Sequence, residues 1–161
     1  MKVLFVPSDN NMVSGAFRSM VTLNKILNEK FNVDTLVVLP NKTGNGSNLL
    51  VENKIRYTFI DSYNWIVKSD RELTKEQHEQ IAIEKEKNET AIKQLVELIK
   101  REHIDIIHIN TTYSYVAAIA GLITRTPIVW HLREFLEEDQ KRKIYDKKYG
   151  YKIIGKSDKI I

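Results

Sequence analysis

The fold is decided by the stretch between residues 104 and 135, IDIIHINTTYSYVAAIAGLITRTPIVWHLREF. Two apolar runs in it, residues 104–109 and 128–131, have the length of buried strands. A segment of small residues with helical character, 115–123, lies between them. Continuously apolar strands are typical of parallel sheets that helices cover on both faces. The stretch therefore predicts a β-α-β unit whose helix packs closely on the sheet.

The same alternation extends in both directions along the chain. Further strands are predicted at residues 2–6, 33–39 and 55–60, and SDKII (157–161) begins another. Helices are predicted at residues 15–30, within the charged segment 70–103 and at 141–156, whereas NKTGNGSN (41–48) predicts a loop. This order favours one α/β domain over residues 1–161, with a doubly wound, Rossmann-like and mostly parallel sheet flanked by helices.

Composition narrows the classes of function. The chain has 161 residues, of which 42% are apolar and 29% charged, as in soluble globular proteins. Its net charge of +4 is compatible with phosphate-bearing partners, but the intermixed acids do not argue for nucleic acid. The absence of cysteine excludes disulfides, thiolate metal sites and cysteine nucleophiles. With no signal peptide and no apolar run of membrane-spanning length, we expect a cytoplasmic protein.

Polar residues follow the first predicted strand, where open α/β sheets bind their ligands. A polar loop leads to Gly15 at the start of a helix, and Arg18 lies one turn further on. Helix N-termini attract anions, and an arginine can bind a phosphate or carboxylate. The alternative is purely local, with Ser14 as the N-cap and Gly15 as part of a turn.

Two further strand ends carry polar residues. Asn110, Thr111 and Thr112 follow the fourth strand and predict either ligand contacts or a turn and helix cap. His131 ends the fifth strand, with its side chain on the face opposite that of Trp130.

Arg133 and Glu134 follow His131, and they either serve the site, pair with each other or face solvent. Of the other histidines, His108 is predicted to be a hydrogen-bonded core residue, and His78 and His103 to be surface residues.

Several catalytic signatures are missing. The chain has no G-x-G-x-x-G, which disfavours a nicotinamide or flavin oxidoreductase, and no P-loop, H-E-x-x-H or Ser-His-Asp order. Its four histidines lack metal-ligand spacing, so no metal site is predicted. The residues alone therefore support an α/β ligand-binding domain with polar groups at three strand ends.

Three segments together carry a family resemblance: MKVLFVPSDNNMVSGAFRSMVTLNKIL (1–27), the stretch 104–135, and SDKII. In this order they resemble the N-terminal half of a family 4 glycosyltransferase of the GT-B fold, over the whole chain. The form WHLREF resembles a bacterial capsule and cell-surface polysaccharide subset. Two positions depart from the family pattern, because Ser14 replaces the first glycine of Gly-Gly-x-x-Arg and Leu132 replaces the aspartate of His-Asp.

The resemblance implies a two-domain enzyme in which residues 1–161 form the acceptor-side domain. A C-terminal, donor-binding domain absent from this chain would follow, and without it the fragment would be inactive. The implied reaction transfers a hexosyl group from a nucleotide-sugar to a glycan or lipid-linked acceptor in surface polysaccharide synthesis. It proceeds with retention, without metal, and with no cofactor beyond the nucleotide-sugar co-substrate. The protein would be cytoplasmic, and a peripheral contact with the inner membrane face is compatible with the resemblance.

The resemblance also assigns roles to individual residues. His131 would be catalytic, Gly15 and Arg18 would bind the donor phosphate, and the acceptor would contact Asn110, Thr111, Arg133 and Glu134. Two alternatives stay open at this point: a non-catalytic α/β binding module, and one subunit of a split glycosyltransferase.

Overall fold

The computed structural model describes residues 1–161, which form eight strands and five helices. The strands are β1 (Lys2–Pro7), β2 (Asp34–Leu39), β3 (Arg56–Phe59), β4 (Ile66–Lys68), β5 (Ile106–Asn110), β6 (Ile128–His131), β7 (Arg142–Ile144) and β8 (Lys159–Ile160). The helices are α1 (Gly15–Phe31), α2 (Gly46–Glu52), α3 (Lys75–Glu102), α4 (Val116–Thr124) and α5 (Lys147–Ile154). None of the helices combines the length and the apolar character that crossing a bilayer requires.

The main sheet has six strands in the order β3-β2-β1-β5-β6-β8, and all neighbours in it run parallel. The chain builds outward from β1 to β3 on one side. It then returns to the middle at β5 and builds outward to β8 on the other. This is the strand order of a Rossmann-like sheet, and it confirms the doubly wound α/β fold predicted from the sequence.

Helices cover both faces of the sheet and bury two apolar clusters. On one face α1 contributes Phe17 to a cluster that includes Phe5 of β1. On the other face the cluster includes Leu95 of α3, Ala117 of α4 and Trp130 of β6. Residues of β1 alternate between the two clusters, with Val3 and Phe5 in one and Leu4 and Val6 in the other. The strand sequences are continuously apolar because neither face of the sheet meets water.

Close packing of α4 explains its small residues. A methyl group at Gly121 would lie 2.8 Å from Cγ1 of Ile128 and 2.9 Å from Cδ1 of Ile107, so the helix backbone sits directly on β5 and β6. The prediction of a closely packed helix at this point is confirmed.

Four elements, α2, β4, β7 and α5, differ from the sequence predictions. The predicted loop contains the start of α2, which has only seven residues and is too short to show a helical period. Residues 142–144 are strand and not helix, because β7 pairs antiparallel with β4 in a separate two-stranded sheet. That pairing joins segments far apart in the chain, so a local pattern cannot reveal it. Helix α5 consequently begins at Lys147, on the N-cap Asp146.

Candidate functional site

The candidate site lies where the carboxyl ends of β1, β5 and β6 meet, an edge here called the carboxyl edge. Strands β1 and β5 are neighbours, yet the helices that follow them cover opposite faces of the sheet. Because the two connections diverge, they leave a crevice at this point, which is where open α/β sheets bind ligands.

The first wall of the site is the N-terminus of α1. The Ser14 hydroxyl accepts a hydrogen bond from the Phe17 amide at 3.4 Å, whereas the amides of Gly15 and Ala16 donate to no protein group. Gly15 is exposed, and a methyl group placed on it would meet no non-neighbouring atom within 4 Å. Two free N–H groups at a helix N-terminus can therefore be approached by an anionic ligand.

The second wall is a chain of three hydrogen-bonded side chains. Asn110 donates through Nδ2 to the Ala16 carbonyl at 3.2 Å, and its Oδ1 accepts from Nε of Arg133 at 3.0 Å. Nη2 of Arg133 lies 3.3 Å from Nδ1 of His131. Asn110 and His131 are also cross-strand partners in the β5–β6 ladder. The chain of contacts thus links α1, β5 and β6.

His131 lies beside a second histidine, His108, which is 6% exposed. The two rings meet edge to face with centroids 5.8 Å apart, and His108 also packs on Phe5 at 4.7 Å. Both ring nitrogens of His108 lack hydrogen-bond partners, so the prediction of a hydrogen-bonded core histidine is wrong in that respect, although the residue is buried. His78 and His103 are exposed, as predicted.

Burial and neighbouring charges keep both site histidines neutral. Desolvation, with the charges of His131 and Arg133, lowers the pKa of His108 to about 4. Desolvation and Arg133 also lower the pKa of His131, and Glu134 opposes that shift. At neutral pH the positive charge among these three groups therefore lies on Arg133.

Glu134 holds the loop after β5. Its Oε2 accepts from both the amide and the hydroxyl of Thr112, at 3.0 Å each. Thr111 has a φ of 92°, which is a rare conformation for a β-branched residue. Two buried indole N–H groups also hold this loop. Trp130 donates to the Thr111 carbonyl at 2.8 Å, and Trp65 donates to the Thr112 carbonyl at 2.6 Å.

The side chains of Trp130 and His131 lie on opposite faces of the sheet at the end of β6. Trp130 is fully buried in the cluster under α3 and α4, while His131 meets His108 and Arg133 on the other face, as predicted. No ion pair joins Arg133 to Glu134, because each side chain has other partners.

Asp9 was missed by sequence reasoning. It lies two residues beyond the end of β1 and accepts from the Asn11 amide at 3.2 Å. Burial raises the pKa of its carboxyl group, and the charge of Glu134 acts in the same direction, against hydrogen bonds from Ser14 and Asn11. A carboxylate that loop residues bring close to Glu134 belongs to the same site. The available signal was its position, directly after a strand end.

Not every predicted site residue joins this cluster. Gly15, Asn110, His131, Arg133 and Glu134 are brought to the carboxyl edge, and Thr111 lies beneath it, 3% exposed. Arg18 instead is exposed and lines a cavity of about 370 Å³ between α1 and α2.

Two clefts lie next to the site, beyond the carboxyl ends of β1, β2 and β3. Their volumes are about 530 and 500 Å³, and they share Lys42, Asp61 and Tyr63. The second is lined mainly by polar residues and reaches Ser8, directly after β1. Its amide, hydroxyl and carboxylate groups can exchange hydrogen bonds with a hydroxyl-rich ligand. No group of three or more His, Asp or Glu side chains lies close enough together to hold a metal ion.

No protein-family profile and no curated protein matches this chain. Solved structures do match its fold. Acinetobacter baumannii MurG has a TM-score of 0.64 at 14% identity, over 99% of this chain and 40% of its own. The lipopolysaccharide outer core galactosyltransferase WaaB has a TM-score of 0.67 at 13% identity, over 99% and 38%. The UDP-GlcNAc 2-epimerase from Neisseria meningitidis, bound to UDP-GlcNAc, has a TM-score of 0.56 at 15% identity, over 95% and 37%.

These likenesses establish the fold as that of one Rossmann-like half of a GT-B enzyme. The chain spans about 40% of the length of the solved structures it matches. The structural neighbours include both glycosyltransferases and UDP-GlcNAc 2-epimerases.

Proposed function

We propose that this chain is the acceptor-side half of a glycosyltransferase that uses a nucleotide-sugar donor. The observation that carries the proposal is the carboxyl edge, where the free amides of Gly15 and Ala16 and the side chain of His131 flank the β1–β5 crevice. Breaking a sugar–phosphate bond develops negative charge on the leaving phosphate, and preorganised hydrogen-bond donors stabilise such charge. Solved nucleotide-sugar enzymes of the same fold support the same class of ligand.

In this proposal the donor groups and the acceptor groups lie on different parts of the edge. Gly15 and His131 bind the sugar–phosphate region of the donor, and Arg18 reaches it only by reorienting from its place between α1 and α2. Arg133 and Glu134 border the acceptor. Asn110 and Thr111 are buried, so they serve the acceptor by holding Arg133 and the loop in place. The polar cleft around Asp61 and Tyr63 then receives the hydroxyl groups of a glycan or lipid-linked acceptor.

The finer assignment follows from the sequence resemblance. We propose a family 4 enzyme of bacterial capsule or surface polysaccharide synthesis, retaining and independent of metal, with the nucleotide-sugar as its only co-substrate. A C-terminal domain would supply most of the donor site. Catalysis would take place in the cytoplasm, with the protein held peripherally at the inner membrane face where the acceptor is lipid-linked.

The test is a nucleotide-sugar binding screen and a transfer assay on the protein in its full natural length. His131→Ala should lower the transfer rate about 10²–10³-fold, the typical effect of one lost hydrogen bond to developing charge. His78→Ala is the matched control, since His78 is exposed on α3. Thermal melts of both variants should match the wild type.

The products separate this proposal from its rivals. Released nucleoside diphosphate with a glycosylated acceptor supports transfer. A donor converted to its C2 epimer would instead indicate an epimerase, the other enzyme class among the structural neighbours. Binding without turnover would favour a non-catalytic module or one subunit of a split glycosyltransferase. Near wild-type transfer by His131→Ala would remove its catalytic role.

A further inference from the structure

We propose that Arg133 is a positioning residue that fixes His131 as the neutral tautomer with its proton on Nε2. His131 then offers a ligand a hydrogen-bond donor and not a base. What this donor does in glycosyl transfer rests on the proposed function, whereas the tautomer itself is a property of the chain alone.

The direction of the contact follows from its chemistry. A guanidinium group has only N–H donors and no acceptor. Nη2 of Arg133 lies 3.3 Å from Nδ1 of His131, so Nδ1 must present its lone pair. The single proton of a neutral imidazole is then on Nε2, whereas the hydrogen bond of the ring within the chain is made by Nδ1.

Arg133 cannot easily turn away, because Asn110 holds it. The orientation of the Asn110 amide is determined at both ends, since the Ala16 carbonyl can only accept and Nε of Arg133 can only donate. Oδ1 therefore faces Arg133 at 3.0 Å. Asn110 is 1% exposed, so the side chain that holds Arg133 is itself fixed by burial.

Desolvation and the charge of Arg133 also disfavour a second proton on His131, and the charge of Glu134 opposes them. The groups that face His131 are His108 from β5 and Arg133 and Glu134 from the segment after β6. His108 is buried and neutral, and Oε2 of Glu134 accepts from the amide and hydroxyl of Thr112 at 3.0 Å each and from the Arg133 amide at 3.4 Å, not from His131. Protonating Nδ1 would place two positive groups in contact and remove the acceptor that Arg133 uses.

The direct test is a long-range ¹H–¹⁵N NMR spectrum of the 161-residue chain, in which only four histidines give signals. His131→Gln assigns the His131 resonances. At neutral pH we expect a bare Nδ1 and a protonated Nε2. Arg133→Met, which removes donors and charge while keeping an unbranched side chain, should give a mixture of tautomers and move the pKa of His131 up toward its usual value.

Arg101→Met is the matched control, because Arg101 is exposed at the end of α3 and removing it makes the same change in net charge. It should leave the His131 signals where they are. The proposal is overturned by a wild-type His131 that is cationic or carries its proton on Nδ1 at neutral pH. It is also overturned by an Arg133→Met variant that keeps the wild-type amide spectrum with its tautomer and pKa unchanged. No nucleotide-sugar enters these measurements, so a failure of donor binding would count against the proposed function alone.

Discussion

His108 should make the stability of this domain sensitive to mild acid. Its ring is 6% exposed, neither nitrogen has a hydrogen-bond partner, and its pKa is lowered to about 4 by desolvation and by the charges of His131 and Arg133. An unfolded chain binds a proton at the ordinary histidine pKa of about 6.5. Between these two values the unfolded state binds more protons than the folded state, so stability falls as pH falls.

The size of the effect follows from the two pKa values. Relative to pH 7, the contribution of His108 to the free energy of unfolding should drop by about 1 kcal/mol at pH 5.5 and about 2 kcal/mol at pH 4.5. His108→Leu removes the titrating group and replaces two unpartnered polar atoms with an apolar side chain of similar volume. Relief of that desolvation is worth about 1–3 kcal/mol, against a repacking cost that is usually below about 1.5 kcal/mol. The variant should therefore be at least as stable as the wild type at pH 7.

Urea denaturation followed by circular dichroism at pH 7, 5.5 and 4.5 measures these differences. Other groups titrate in this range, so the informative quantity is the wild-type loss of stability minus the loss in His108→Leu. We expect a difference of about 2 kcal/mol at pH 4.5. Equal losses in the wild type and His108→Leu would show that His108 is not held neutral by burial.

Three further substitutions test the carboxyl edge. Gly15→Ala should raise the free energy of unfolding by up to about 1 kcal/mol, and so keep or raise the melting temperature, because a methyl group there meets open space. Isothermal titration should nevertheless show that the variant binds nucleotide-sugar more weakly. Glu134→Ala leaves the buried Thr112 amide without its acceptor and should cost about 1–3 kcal/mol in urea denaturation, whereas Glu134→Gln, which retains an acceptor oxygen, should cost less. Thr111→Gly relieves the backbone at a φ of 92° and removes a hydroxyl that accepts a long hydrogen bond, 3.4 Å, from the Tyr113 amide. It should stabilise the chain by about 1 kcal/mol in the same measurement, and a loss would mean that the strain is smaller than the interactions of the side chain.

The main sheet could be predicted because its strands carry a local signal. Continuous apolar runs such as residues 104–109 and 128–131 indicate strands covered on both faces, and the alternation with helices then indicates a parallel sheet. The β4–β7 pair gives no such signal. Its three-residue strands pair Ile66 with Ile144, and Arg142 and Lys143 give β7 the charged composition of a helix surface.

The location of the site could be predicted from the sequence, but the hydrogen bonds between its side chains could not. The rule that ligands bind at the carboxyl ends of strands brought Gly15, Asn110 and His131 to one edge, and the structure agrees. Which side chain Arg133 contacts depends on atomic distances between α1, β5 and β6. Its neighbour in sequence, Glu134, was an equally reasonable partner until the position of Thr112 was known.

That position follows from the unusual backbone at Thr111. A β-branched residue with positive φ costs roughly 1–3 kcal/mol, so the conformation persists only where its surroundings over-determine it. Here the Thr111 amide donates to the His131 carbonyl at 2.9 Å, and the Thr111 carbonyl accepts from the Trp130 indole. The turn directs the Thr112 amide and hydroxyl to Glu134. Because Glu134 is engaged there, Arg133 is left to Asn110 and His131. The turn at Thr111 thus aligns Thr112 with Glu134 and leaves Arg133 to Asn110 and His131.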